Sequence, residues 1–135
     1  MATTKPQIFD AVRRRYVACT PEEEVRQATI QYLHTHLHYP LELMQVEGSI
    51  TLAGLTKRCD IVVYNRLLKP VVIVECKKPL VPITQKVVDQ ACRYNQVLRV
   101  PYLYLTNSRQ HLFLSVDFTA GRLQQIDSLP AWEEL

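Results

Sequence analysis

No two cysteines in this chain are spaced as Cys-x-x-Cys. The four present, Cys19, Cys59, Cys76 and Cys92, stand far apart, which excludes a local zinc site. Cys59, Cys76 and Cys92 lie in apolar stretches, as buried free thiols of a reducing compartment do. No apolar run approaches the ~18 residues of a membrane-crossing helix. The opening MATTKPQIF lacks the apolar centre of a secretion leader, so a cytoplasmic protein is expected. There is no internal repeat and no low-complexity tract. What is present is a 135-residue chain, 47% hydrophobic and 21% charged, the composition of one globular domain with a core. Its net charge of +3 permits a polyanionic partner without demanding one.

The chemistry concentrates between Lys57 and Pro79. Ile61–Tyr64 and Val71–Val74 are short β-branched runs, and Asn65–Pro70 between them ends in a proline, which can open a strand but not sit in its middle. An antiparallel hairpin is the simplest reading. Side chains two apart share a face, so Asp60, Val62 and Tyr64 point one way, as do Ile73, Glu75 and Lys77. If Tyr64 faces Val71, Asp60 falls opposite Glu75. Two such carboxylates repel unless one takes a proton or a cation lies between them. A hard divalent cation such as Mg²⁺ suits the pair, and Lys77 beside it could orient a water.

The remaining chain frames this hairpin. Residues 1–7 and 117–135 read as peripheral, with a turn at Ala120-Gly121 and a Trp132 that docks either on the domain or on a partner. Arg13-Arg14-Arg15 is either a solvated charge run or a phosphate contact. Thr20-Pro21-Glu22-Glu23 starts a helix, with Thr20 as N-cap and Glu23 closing a capping box. The helix should run to His36–Leu37, with Val25, Ala28, Thr29, Tyr32, Leu33 and His36 on its inner stripe. Glu22 lies at the edge of that stripe, where its bland role is an i+4 pair with Arg26, whereas Glu23 points elsewhere. His34, His36 and His38 read as surface or partly packed residues rather than ligands. Val46–Leu52 alternates as a half-buried strand, and Gly54 turns the chain into Lys57-Arg58, either a solvated turn or phosphate contacts. Val87, Ala91, Tyr94 and Leu98 mark a helix from Ile83 to Leu98 that also carries Gln90. Val100–Leu105 reads as a central strand and Leu112–Val116 as a further one. The order helix, three strands, helix, two strands predicts an α/β domain with a mixed sheet flanked by helices.

Asp60 followed by Glu75-Cys76-Lys77 resembles the D…ExK signature of the PD-(D/E)xK nuclease superfamily. The wider wording resembles the N-terminal nuclease domain of type I restriction enzyme R subunits. It includes Thr20-Pro21-Glu22-Glu23 with Val25-Arg26-Gln27, Arg58 to Tyr64, Val74 to Pro79, Gln90 with Tyr94, and Leu105-Thr106-Asn107. The resemblance spans most of residues 8–116 and implies a restriction-endonuclease-like αβββαβ core over 1–135. It further implies a Mg²⁺-dependent DNA endonuclease, with Mn²⁺ able to substitute. Asp60, Glu75 and the Cys76 carbonyl would be metal ligands, Lys77 the catalytic lysine, and Glu22, or failing that Glu23, the helix carboxylate of the site. Gln90 and Tyr94 would handle DNA, with Lys57, Arg58 and Lys78 as further nucleic-acid contacts. Restriction-modification or motor subunits are the implied partners. A homodimer would allow double-strand cleavage, though nothing in the chain requires one. Type I R subunits continue into a motor not read in these 135 residues, so ATP hydrolysis is not expected of them. The alternative is a nucleic-acid- or protein-binding module on a nuclease fold with little or no turnover, or a purely structural fold in which Lys77 and Arg58 neutralise the acids.

Overall fold

A computed structural model describes residues 6–135. Residues 1–5 of the expected peripheral lead lie outside the described residues. Gln7 already belongs to a strand, because β1 (Gln7–Asp10) and β2 (Arg15–Ala18) form an antiparallel hairpin of their own. Helix α1 (Pro21–Leu37) follows, then a 3-10 turn (Leu41–Leu43), β3 (Met44–Leu52), β4 (Leu55–Tyr64) and β5 (Pro70–Cys76). Helix α2 (Gln85–Leu98) leads to β6 (Tyr102–Thr106), β7 (His111–Asp117) and β8 (Arg122–Ile126). The large sheet has the order β3-β4-β5-β6-β7-β8. Only β5 and β6 are parallel, and α2 is the crossover such a pair needs. The mixed sheet flanked by helices is the architecture that the pattern of strands and helices predicts.

The two helices cover opposite faces. Val25, Ile30, Leu33 and Leu37 of α1 pack with Ile61, Val63, Val72, Val74, Cys76 and Tyr104. Leu98 of α2, with Val88, Ala91 and Tyr94, packs with Val62, Ile73, Leu103 and Leu114. Strand alternation explains the division: odd and even positions of β5 and β6 serve different cores. β6 is central, and Leu103 to Thr106 are all buried.

The core hairpin has the expected register over Ile61↔Val74, Val62↔Ile73 and Val63↔Val72. At its turn end a bulge intervenes, and Tyr64 meets Pro70 rather than Val71. At the other end pairing stops at Ile61, and the Cys76 N–H donates instead to the Asp60 side chain at 2.8 Å. The expectation that Asp60 shares a face with Val62 and Tyr64 is corrected. Asp60 reaches Arg26 on α1, whereas Val62 packs with the α2 core. Directly opposite Asp60, Glu47 of β3 adopts a left-handed φ of 54°, and the ladder omits both residues between Val46↔Ile61 and Gly48↔Cys59 without a change of register.

Two expectations for α1 are also corrected. Thr20 does cap the helix, accepting the Glu23 N–H at 3.1 Å, but Glu23 does not close the box. Its carboxylate is buried among Arg13, Arg26 and Gln27. Of the expected stripe Val25, Thr29 and Leu33 are buried and Tyr32 is half-buried, but Ala28 and His36 are exposed, and Glu23, Arg26, Gln27, Ile30 and Leu37 are buried as well. Charged residues in the first turns hid the true inner face from a hydrophobic reading. The tail after β7 adds an edge strand and then returns to the core: Leu129 is buried, and Trp132 stands edge-on to Tyr39. Trp132 therefore docks on the domain.

Candidate active site

Where α1 begins, β5 ends and the middle of β4 passes, the surface opens into a cleft of about 540 Å³. Glu22, Arg26, Glu47, Arg58, Asp60, Glu75, Lys77 and Lys78 all line it. The hairpin thus brings Asp60, Glu75 and Lys77 to one place although Asp60 leans toward α1. Asp60 accepts from the Cys76 backbone N–H and from Arg26 Nη2 at 3.2 Å. Burial pushes the Glu75 carboxyl up to about 7; the adjacent Asp60 carboxyl adds to the rise, and Lys57 and Lys77 oppose it. Two acids are in mutual contact at the head of the cleft, and the environment favours one shared proton or an added cation.

Lys57 Nζ lies 3.5 Å from Glu75 and 5.0 Å from the centre of the Tyr94 ring. Arg58 pairs with Glu47 at 2.8 Å. Both cations belong to β4 rather than to a turn; Lys57 is half-buried, whereas Arg58 stays exposed. The neutralising partners of the acids are Arg26 and Lys57 rather than Lys77 and Arg58. Lys77 forms no ion pair among the described residues and is half-buried beside Glu75. A second cavity of about 60 Å³ on the α2 side shares Glu75 and Lys77 and adds Lys57, Gln90 and Tyr94. The α2 residues singled out in the sequence therefore stand next to the same acid. Lys78 is exposed at the rim of the larger cleft.

Glu22 lines the cleft with its side chain 42% exposed, and its oxygen is 4.0 Å from Arg26. Glu23 is buried behind it and does not line the cleft. Behind Asp60 runs an ionic chain absent from the sequence reading. Arg26 donates to Glu23 at 2.9 Å and to Glu47 at 3.3 Å; Arg13 bonds Asp10, Glu23 and Glu47. Arg13 is thus neither a solvated charge nor a free phosphate contact. Burial tends to raise the Glu47 carboxyl, but Arg26, Arg58 and Arg13 hold it below its usual value. The signal for Arg26 was its i+3 spacing from Glu23 on what proves to be the inner stripe.

Burial pushes the Cys59 thiol up to about 12 and the Cys76 thiol higher, so both stay protonated. All four cysteines are free. His34 and His38 bond the Tyr39 carbonyl and Glu133 respectively, away from the cleft. Among the described residues no three His, Cys, Asp or Glu side chains form a metal-binding group. Any ion here would take at most the Asp60–Glu75 pair from side chains. Among the described residues no helix is long and apolar enough to cross a membrane.

The family described as type I restriction enzyme R protein N terminus matches residues 21–130. The chain belongs to this family. The matched span contains α1, both acids, Lys77 and α2, so the restriction-enzyme R N-terminal module includes every residue of the cleft. The fold is similar to that of a fragment assigned to the HsdR subunit of a type I restriction enzyme from Vibrio vulnificus YJ016, with a TM-score of 0.57 and 23% identity. That match covers 84% of this chain but 24% of the other, so the chain spans about a quarter of that protein. It is also similar to a DUF820 protein from Anabaena variabilis ATCC 29413, assigned as a nuclease, with a TM-score of 0.56, 10% identity, and coverage of 90% and 81%. No curated protein matches. The chain is a restriction-endonuclease-like domain.

Proposed function

We propose that this R N-terminal module is a metal-dependent endonuclease acting on DNA, with Asp60, Glu75 and Lys77 as its catalytic set. The observation that carries this is the Asp60–Glu75 contact at the head of an open cleft, where Glu75 holds its proton to about 7. Arg26 and Lys57 pair with these acids, yet both acids line an open cleft with room for a solvated ion and a phosphate. The donor set fits Mg²⁺, which takes one or two carboxylates and completes its octahedron with backbone, water and phosphate oxygens. Asp60, Glu75 and the Cys76 carbonyl would hold the ion, and Mn²⁺ could replace it. When bound it would polarise the scissile phosphate and acidify a water.

The chain's own residues supply the rest. Lys77, without an ion-pair partner among the described residues, would hold the attacking water and offset charge developing on the phosphate oxygens. Glu22, which also lines the cleft, would act as an outer carboxylate. Lys78 at the rim, and Gln90 with Tyr94 on the α2 side, would contact the nucleic-acid strand. Restriction-modification or motor subunits would bring the DNA, and a homodimer would let both strands be cut. A plasmid-nicking assay with Mn²⁺ tests this. Wild type should nick, Asp60→Ala and Glu75→Ala should not, and Lys77→Ala should lose rate more than DNA affinity. Equal nicking by wild type and Glu75→Ala would remove these residues from the chemistry.

One observation favours a second reading, a nucleic-acid- or protein-binding module with little turnover: Asp60 already bonds Arg26 and the Cys76 N–H, and Glu75 pairs with Lys57. DNA binding by wild type without Mn²⁺ binding or nicking would support it.

A further inference from the structure

Each acid at the cleft has a cation beside it, and each cation has a second partner already within reach. Arg26 comes from α1 to Asp60 at 3.2 Å, but it also holds Glu23 at 2.9 Å and Glu47 at 3.3 Å. Losing Asp60 would leave it with two acids. Its side chain is 6% exposed and its Nε is buried without a hydrogen-bond partner, so the guanidinium has an unused donor in this arrangement. Lys57 comes from β4 to Glu75 at 3.5 Å and lies over the Tyr94 ring, where the ring face offers an alternative seat for an ammonium.

Without these two cations Asp60 and Glu75 would face one another uncompensated in a partly desolvated place. With them in place, the acids are not fully available to anything else. We propose that Arg26 and Lys57 are internal counter-ions that occupy Asp60 and Glu75 in the metal-free protein and yield the pair when a divalent cation binds. Arg26 then rests on Glu23 and Glu47, and Lys57 on the Tyr94 ring. This rests on the metal-dependent reading above and gives Tyr94 a role beyond DNA contact. Cation affinity becomes an exchange: each protein cation released lowers it, and each alternative seat restores part of the loss.

The test is Mn²⁺ binding by the full chain, read from the electron paramagnetic resonance signal of free Mn²⁺, with no DNA and no turnover. Lys57 is the residue to change, because it is partly exposed and its loss leaves the buried Arg26 chain intact. Lys57→Gln should bind Mn²⁺ about 3–10-fold tighter than wild type, the range of a half-exposed ion pair. Lys57→Arg should stay near wild type. Tyr94→Leu should weaken binding about 2–5-fold by removing the seat, and Tyr94→Phe should not. Lys78→Gln, which removes an exposed charge of the same cleft, should shift affinity less than Lys57→Gln. Unchanged or weaker binding by Lys57→Gln, or equal tightening by Lys78→Gln, overturns the exchange while leaving the metal site standing. Absence of Mn²⁺ binding by wild type overturns both.

Discussion

At Glu75 the folded protein prefers the protonated carboxyl, because burial and Asp60 raise its value from 4.5 to about 7. Between those values the folded state binds the proton more tightly than the unfolded chain. This residue's contribution to stability is therefore fully present below 4.5 and is lost as pH rises through about 7. The melting temperature of metal-free protein should fall over roughly pH 5–8 from this cause, and Glu75→Gln should flatten the fall. Glu47 acts in the opposite sense: its arginines depress its value, so its contribution is lost as pH falls into the acid range. Arg26 is the residue on which most acids depend, with Glu23, Glu47 and Asp60 all bonded to it. Arg26→Met should destabilise the fold by about 3–5 kcal/mol in urea denaturation, since it strands buried carboxylates.

Local signals placed the elements well where chemistry is local. Thr20 caps α1 and Thr84 caps α2, each accepting the N–H three residues on. Thr20→Ala should cost about 1 kcal/mol, measured by thermal or chemical unfolding. Both helices end on a left-handed residue, His38 and Arg99. Hydrophobic periodicity missed most of the inner face where that face is ionic. Glu23, Arg26 and Gln27 look like surface residues on a helical wheel and are buried because Arg13 and Glu47 arrive from other elements. Of the β1–β2 hairpin only the apolar run Tyr16–Ala18 carries a strand signal in the sequence, and β8 carries none, because its side chains are mostly exposed and lack a strand's alternation.

Across the whole molecule, the tail ties the fold together. Tyr39 Oη donates to the Pro130 carbonyl at 2.7 Å, and Leu129 fills the α1 core. Leu129→Ala should cost about 2–5 kcal/mol as a core cavity, and the fluorescence of Trp132, the single tryptophan, should report looser docking. The sequence by itself determined the strand–turn–strand unit and its register over Ile61–Val63. Those follow from alternation and turn chemistry acting over fewer than twenty residues. Only the tertiary structure decided that Asp60 leans toward α1, that Arg26 and Lys57 rather than Arg58 and Lys77 pair with the acids, and that Glu23 is interior. Those depend on a backbone irregularity at Glu47 and on charges brought together from β1–β2, α1, β3 and β4, and electrostatic pairing between distant segments leaves no periodic mark in the chain.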